Sequence, residues 1–194
     1  MGEIERRSKR LAETLIGPLA RAGVTANHMT IAGFFAAIPV AALIATDYLV
    51  VGGILLLIAS AFDTLDGAVA RVRDEVTEFG AFLDSTLDRY VEVAYFGALI
   101  WLFLERDDAA RVILSFVVLS GSIMVSYTRA RAEGLGLYGK VGVLQRPERL
   151  ILLGIALIFS GWMLLPVLWA MAVVTNFTVL QRILHVRSQT RKRQ

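Results

Sequence analysis

Apolar residues fill most of this chain in blocks long enough to cross a bilayer, and short polar clusters mark where each block ends. Read as helices, the first block is expected from about Thr30 to Ala45 and the second from about Leu49 to Ala70, with a turn at Thr46 and Asp47 between them. A charged connection, Arg71 to Glu78, leads to a third from about Phe79 to Leu104, which the polar run Glu105 to Asp108 ends. The fourth is expected from about Ala109 to Ala132. After a glycine-rich loop, Pro147 at a first helical position opens the fifth, and the sixth runs from about Pro166 to His185. Ahead of them all, Ile4 to Ala22 sets Ile4, Leu11, Leu15, Ile16 and Leu19 among Arg6, Arg7, Lys9 and Arg10. That is the pattern of an amphipathic helix lying in the membrane interface.

Composition sharpens this into a fold class. With 56% hydrophobic residues and a mean hydropathy of +0.63, an ordinary soluble domain is excluded. The expectation is an all-α integral membrane protein: six transmembrane helices and an N-terminal interfacial helix. Six crossings of about 20 residues each use nearly the whole length, so 1–194 is expected to be one domain, with 1–22 interfacial and 186–194 a flexible basic tail drawn to anionic lipid. The absence of cysteine rules out disulfides, thiolate metal sites and cysteine nucleophiles. The charged start of the chain is not the pattern of a signal peptide, and none is expected.

Charge placement gives an orientation. Of the 20 basic residues, 17 fall in the N-terminal segment, the loops after the second and fourth helices, and the tail. Arg106 and Arg111 lie on the other side, and Arg89 is inside the third helix. The positive-inside rule therefore puts both termini and both polar loops in the cytoplasm, in a multi-pass protein of the cell membrane. No nucleic-acid partner is expected.

The chemistry concentrates between Asp63 and Asp88. Four carboxylates, Asp63, Asp66, Asp84 and Asp88, border or enter apolar stretches, where each costs roughly 2.5–3.5 kcal/mol at a helix centre. Such charges demand a partner. Asp63 and Asp66 are three apart and Asp84 and Asp88 four apart, so each pair shares a helix face. Oxygen ligands of this kind suit Mg²⁺ or Mn²⁺, and two ions can clamp a pyrophosphate. Asp88 is the candidate base for an attacking alcohol. Gly67 and Gly80 would let a backbone or a nucleotide approach, and Arg71 could pair with a phosphate or an aspartate. A proton or ion pathway in a transporter, or simple pairing of the aspartates with arginines, is also open to such a set.

The row D-x₂-D-G-x₂-A-R-x₈-G-x₃-D-x₃-D, over Asp63 to Asp88, resembles the signature of the CDP-alcohol phosphotransferase family at all its fixed positions. The resemblance implies a six-helix membrane enzyme, usually a homodimer, that transfers a substituted phosphate from a CDP-linked donor to an alcohol and releases CMP. It implies metal ligation by Asp63, Asp66, Asp84 and Asp88, with Asp88 the base, and a cytidine diphosphate site at Asp66, Gly67, Ala70, Arg71 and Gly80. The segment Gly23 to Thr30 is similar to the family's P-N-x-x-T, with Ala26 in place of proline, so Asn27 or Thr30 is expected to cap the first helix or touch the nucleotide.

A second basic cluster bears on the acceptor. Arg129, Arg131, Arg146, Arg149 and Arg182 come from three helices at the level of the aspartates, and convergent arginines suit an acceptor that carries its own phosphate. Positive-inside anchoring is the plainer reading of such residues. The segments S-Y-T-R-A-R-A-E and Q-R-P-E-R-L resemble the family branch that makes phosphatidylinositol phosphate or archaetidylinositol phosphate from inositol phosphate. On that resemblance Arg129, Arg131, Arg149 and Arg182 match acceptor-phosphate positions, with Gln145 where glutamate is usual. Glycerol 3-phosphate remains the nearest alternative acceptor, and a soluble CDP-linked donor is also open. His28 and His185 each stand alone near an interface and are assigned no role.

Overall fold

The computed structural model describes residues 25–72, 77–139 and 141–191, with side chains described for all of these except Ala26 and 63–72. The expected interfacial helix at 4–22 lies outside them. Among the described residues six helices follow in order: α1 (Ala26–Ala45), α2 (Leu49–Val72), α3 (Glu78–Glu105), α4 (Ala109–Gly134), α5 (Arg146–Ile158) and α6 (Leu164–Arg191). Three of them, over Asn27–Ala45, Ala109–Gly134 and Leu164–Arg191, are long and apolar enough to cross a membrane, and α2 adds the apolar stretch Leu49–Phe62. At 28 residues, α3 is about 42 Å long, although Asp84, Asp88, Arg89 and Glu92 place charges through its first four turns. The expected fifth crossing is shorter than the others. With 13 residues, α5 reaches only about 20 Å.

Three helix ends share one device. Asp47, Asp107 and Gly136 follow the caps of α1, α3 and α4 with φ of 69°, 52° and 67°. The next residue in each case reaches back five positions: Tyr48 N–H to the Leu43 carbonyl at 2.9 Å, Asp108 to Phe103 at 2.9 Å, and Leu137 to Ala132 at 2.9 Å. This is the Schellman arrangement, which satisfies carbonyls that a helix end leaves open. It explains how such long helices reverse within a few residues.

Packing pairs α1 with α3, α4 with α6, and α2 with α5, while α3 joins α4 and α1 joins α2. The core is apolar, with Ile44, Leu56, Phe96, Leu99, Leu153, Leu157, Leu168 and Met171 fully buried. Its outer face is apolar as well: Phe35, Phe82, Trp101, Phe116, Trp162, Trp169 and Phe177 are all exposed. An outward surface of that character, on helices of this length, belongs in hydrocarbon.

Glycines bring two pairs close. A Cβ on Gly53 would lie 2.7 Å from the Gly154 carbonyl oxygen, so α2 and α5 meet backbone to backbone. On α4, a Cβ at Gly121 would collide with the Thr175 hydroxyl of α6.

Candidate functional site

Thr77 starts α3, its hydroxyl accepting the Gly80 N–H at 3.0 Å. From that start Asp84, Asp88 and Glu92 recur every fourth residue and form one stripe on the helix. Gly80 needs its missing side chain, since a Cβ there would lie 2.9 Å from the Asn27 carboxamide oxygen of α1. The cap of α1 falls on Thr25, which corrects the expectation for Asn27 or Thr30. Its hydroxyl accepts the His28 N–H at 3.4 Å, and His28 Nδ1 accepts the Thr25 N–H at 3.3 Å. Thr25, Asn27 and His28 interrupt the apolar pattern at this end, so hydropathy alone began the helix four residues late.

The two aspartates of α3 differ in surroundings. Asp84 is exposed and Asp88 half-buried. Arg146, in the first turn of α5, places Nη2 2.8 Å from Asp88 Oδ1, and Arg89 Nη1 stands 3.8 Å from Oδ2. Asp88 thus sits between two guanidinium groups. Asp63, Asp66, Gly67, Ala70 and Arg71 lie on α2, with side chains outside those described. Among the described residues no three carboxylates or histidines converge as a metal site.

One turn deeper is a pair that the sequence did not single out. Glu92 and Arg149 are 0% and 1% exposed. The guanidinium donates from Nε to Glu92 Oε1 at 3.0 Å and from Nη2 to Oε1 at 2.8 Å and Oε2 at 3.1 Å. Nη1 donates to the Leu144 carbonyl at 3.0 Å. A carboxylate four residues beyond Asp88 on the same stripe was the available signal, since an unpaired charge at that depth would be costly.

The other expected acceptor arginines separate clearly. Arg182 is buried, and its bonds go to neutral backbone: Nε to the Val141 carbonyl at 2.8 Å and Nη1 to that of Val125. Among the described residues no carboxylate stands within ion-pair distance of it. Arg129 donates to Glu133 at 2.9 Å in an exposed i,i+4 pair, and Arg131 is exposed in the last turn of α4. Arg129 and Arg149 stand close enough to Arg182 for their charges to act on it, as does the Glu133 carboxylate.

The loop between α4 and α5 is fastened to one stripe of α6. The Thr178 hydroxyl donates to the Val143 carbonyl at 2.8 Å, Arg182 holds Val141, and Gln189 exchanges bonds with the Tyr138 backbone at 3.1 and 2.8 Å. His185, with no expected role, stacks edgewise on Tyr138 at 6.3 Å. These contacts carry α6 on to Arg191, so the tail expected to be flexible is helical to that point.

This constellation can be set beside known proteins. The chain is 38% identical over 186 residues to the phosphatidylinositol phosphate synthase of Mycobacteroides abscessus, covering 92% of this chain and 84% of that one. It is 36% identical to the archaetidylinositol phosphate synthase of Methanothermobacter thermautotrophicus, covering 88% of each. The phosphatidylinositol phosphate synthase of Mycobacterium tuberculosis, solved with CDP-DAG bound, superposes with a TM-score of 0.85 at 35% identity, over 91% of this chain and 94% of that one. The same protein has been solved with manganese and citrate. The sequence profile of the CDP-alcohol phosphatidyltransferases matches residues 23–180, through α1 to α5 and into α6 as far as two residues short of Arg182, and the chain belongs to that family.

Proposed function

We propose that this membrane enzyme transfers a phosphatidyl-type group from a CDP-linked lipid, CDP-diacylglycerol or CDP-archaeol, to inositol 1-phosphate, releasing CMP in phospholipid synthesis. The observation that carries the acceptor is Arg182. A buried arginine whose hydrogen-bond partners among the described residues are neutral carbonyls, with only the more distant Glu133 to offset its charge, has room for an anion, and an acceptor bearing its own phosphate brings one. Arg129, Arg131 and Arg149 complete the proposed phosphate site.

Asp63, Asp66, Asp84 and Asp88 are the proposed holders of a divalent cation, Mg²⁺ or Mn²⁺, as two ions. Asp84 and Asp88 fit that role: both are hard oxygen donors, one turn apart on one face, and Asp88 draws two guanidinium groups as countercharge. When bound, such cations neutralise charge on a pyrophosphate. The rest falls to the chain. Asp66, Gly67, Ala70, Arg71 and Gly80 hold the cytidine diphosphate, and the arginines fix the acceptor by its phosphate. Asp88 takes the proton of the acceptor hydroxyl as its oxygen bonds to the lipid-linked phosphorus, and the bond from that phosphorus to CMP breaks. Positioning and electrostatics supply the rate in this single displacement.

The proposed setting is one domain with six crossings in the cell membrane, with site and termini facing the cytoplasm as the basic residues suggest, in a homodimer. The test is CMP release by purified enzyme in detergent with Mg²⁺ and CDP-diacylglycerol, offered inositol 1-phosphate, glycerol 3-phosphate or no acceptor. Release with inositol 1-phosphate alone is expected. Release with glycerol 3-phosphate alone would make the protein a phosphatidylglycerol phosphate synthase, and none with either would refute the reading. Asp88→Asn is expected to abolish turnover and keep nucleotide binding; normal turnover in that variant would remove Asp88 as the base.

A further inference from the structure

We infer that Glu92 is a positioning residue for the acceptor phosphate, an inference that rests on the acceptor reading above. Two rungs join α3 to α5: Asp88 with Arg146, and one turn deeper Glu92 with Arg149. The outer rung is partly open, with both side chains 14% exposed, whereas the inner one is sealed. Glu92 grips Arg149 along its Nε–Nη2 edge with both carboxylate oxygens. A side-on pair of this kind fixes the plane of the guanidinium as well as its place. Without it, a long flexible side chain this near Arg182 would be repelled by that charge.

The two contacts of Arg149 also differ in what an incoming anion can displace. Glu92 is a charge–charge partner and stays. The Leu144 carbonyl on Nη1 is neutral and belongs to a residue at φ 60°, a conformation unfavourable for leucine. A phosphate oxygen can take its place on Nη1, and the backbone at Leu144 would then relax. Glu92 thus holds one edge of the guanidinium so that Nη1 is presented to the acceptor.

The experiment is steady-state CMP release in detergent, with KM measured separately for inositol 1-phosphate and CDP-diacylglycerol, and thermal midpoints recorded alongside. Glu92→Gln is expected to raise the acceptor KM about tenfold or more, with the donor KM and kcat within about threefold of the parent. Glu92→Asp, which keeps the charge on a shorter arm, should fall between, and it decides the matter if Glu92→Gln does not fold. An unchanged acceptor KM in the folded variant overturns the inference. So does a parallel loss in both KM values and kcat, the signature of a merely structural role. If the parent enzyme uses only glycerol 3-phosphate, the inositol reading fails while the same KM split, measured with that acceptor, still judges Glu92.

Discussion

Helix α5 is held from two sides by opposite means. Against α3 it is joined by ion pairs, Asp88 with Arg146 and Glu92 with Arg149. Against α2 it touches through bare backbone at Gly53 and Gly154, with Leu57 and Leu157 closing over the contact. Both seams lie in a molecule whose surroundings offer no hydrophobic drive for helix association. The glycine seam gains dispersion contacts and strands nothing if it loosens. The charged seam, once opened, exposes two ions to an apolar interior. One seam therefore supplies adhesion, and the other enforces a single register of α5 on α3, where the proposed base Asp88 and the proposed acceptor site meet.

The largest expected effect tests that difference directly. Glu92→Leu alone strands the Arg149 charge, and breaking a buried pair in this way typically costs about 3–5 kcal/mol. Adding Arg149→Met removes the stranded charge, and the double variant should regain most of that loss, since apolar replacements of buried pairs are often neutral in stability. Its acceptor binding should not return. Thermal midpoints in detergent with acceptor KM values check both halves; recovery of stability and acceptor binding together would show that the pair does no more than join two helices.

The glycine seam comes next. In Gly53→Ala the new methyl carbon meets the Gly154 carbonyl oxygen at 2.7 Å and Leu157 Cβ at 2.9 Å, so α2 and α5 must separate. Overpacking of this kind costs about 1–3 kcal/mol. With α5 still held to α3 by its ion pairs, the donor and acceptor KM values should stay near those of the parent. A selective rise in acceptor KM would mean that the glycine seam, too, sets the site.

How much of this could be read from the chain follows the same division. Helices set by long apolar runs were legible, and Leu49 and Ala109 start where hydropathy puts them. Their polar ends were not. Thr25 and His28 cap the first turn of α1 through side chain to backbone bonds, and Gln189 extends α6 by bonding to Tyr138; neither leaves a hydrophobic trace. The aspartate row stood out because four charges at helical spacing in an apolar segment are costly. Glu92 escaped because its partner is 57 residues away, and spacing along one helix cannot reveal a contact between two. The arginines were legible as a group but not as individuals: burial and partners divide Arg149 and Arg182 from the exposed Arg131.

The smallest expected effect lies at the other end of α3, where an ion pair of similar chemistry serves as the counterpart to the buried rung. Arg106 Nη2 stands 2.5 Å from Asp47 Oδ2, with the two side chains 40% and 51% exposed. Exposed pairs are worth only about 0.2–1 kcal/mol. Asp47 is also the residue after the α1 cap, at φ 69°, a conformation that costs an ordinary L-residue roughly 1–2 kcal/mol and glycine nothing. Asp47→Gly therefore removes a small gain and a comparable strain, and the thermal midpoint should stay level or rise slightly, with activity unchanged. Asp47→Ala keeps the strain and loses the pair, so it should fall below both. If Asp47→Gly instead lowered stability by as much as Glu92→Leu does, burial would not be what separates the two ion pairs, and the contrast between the seams of α5 would have to rest on geometry alone.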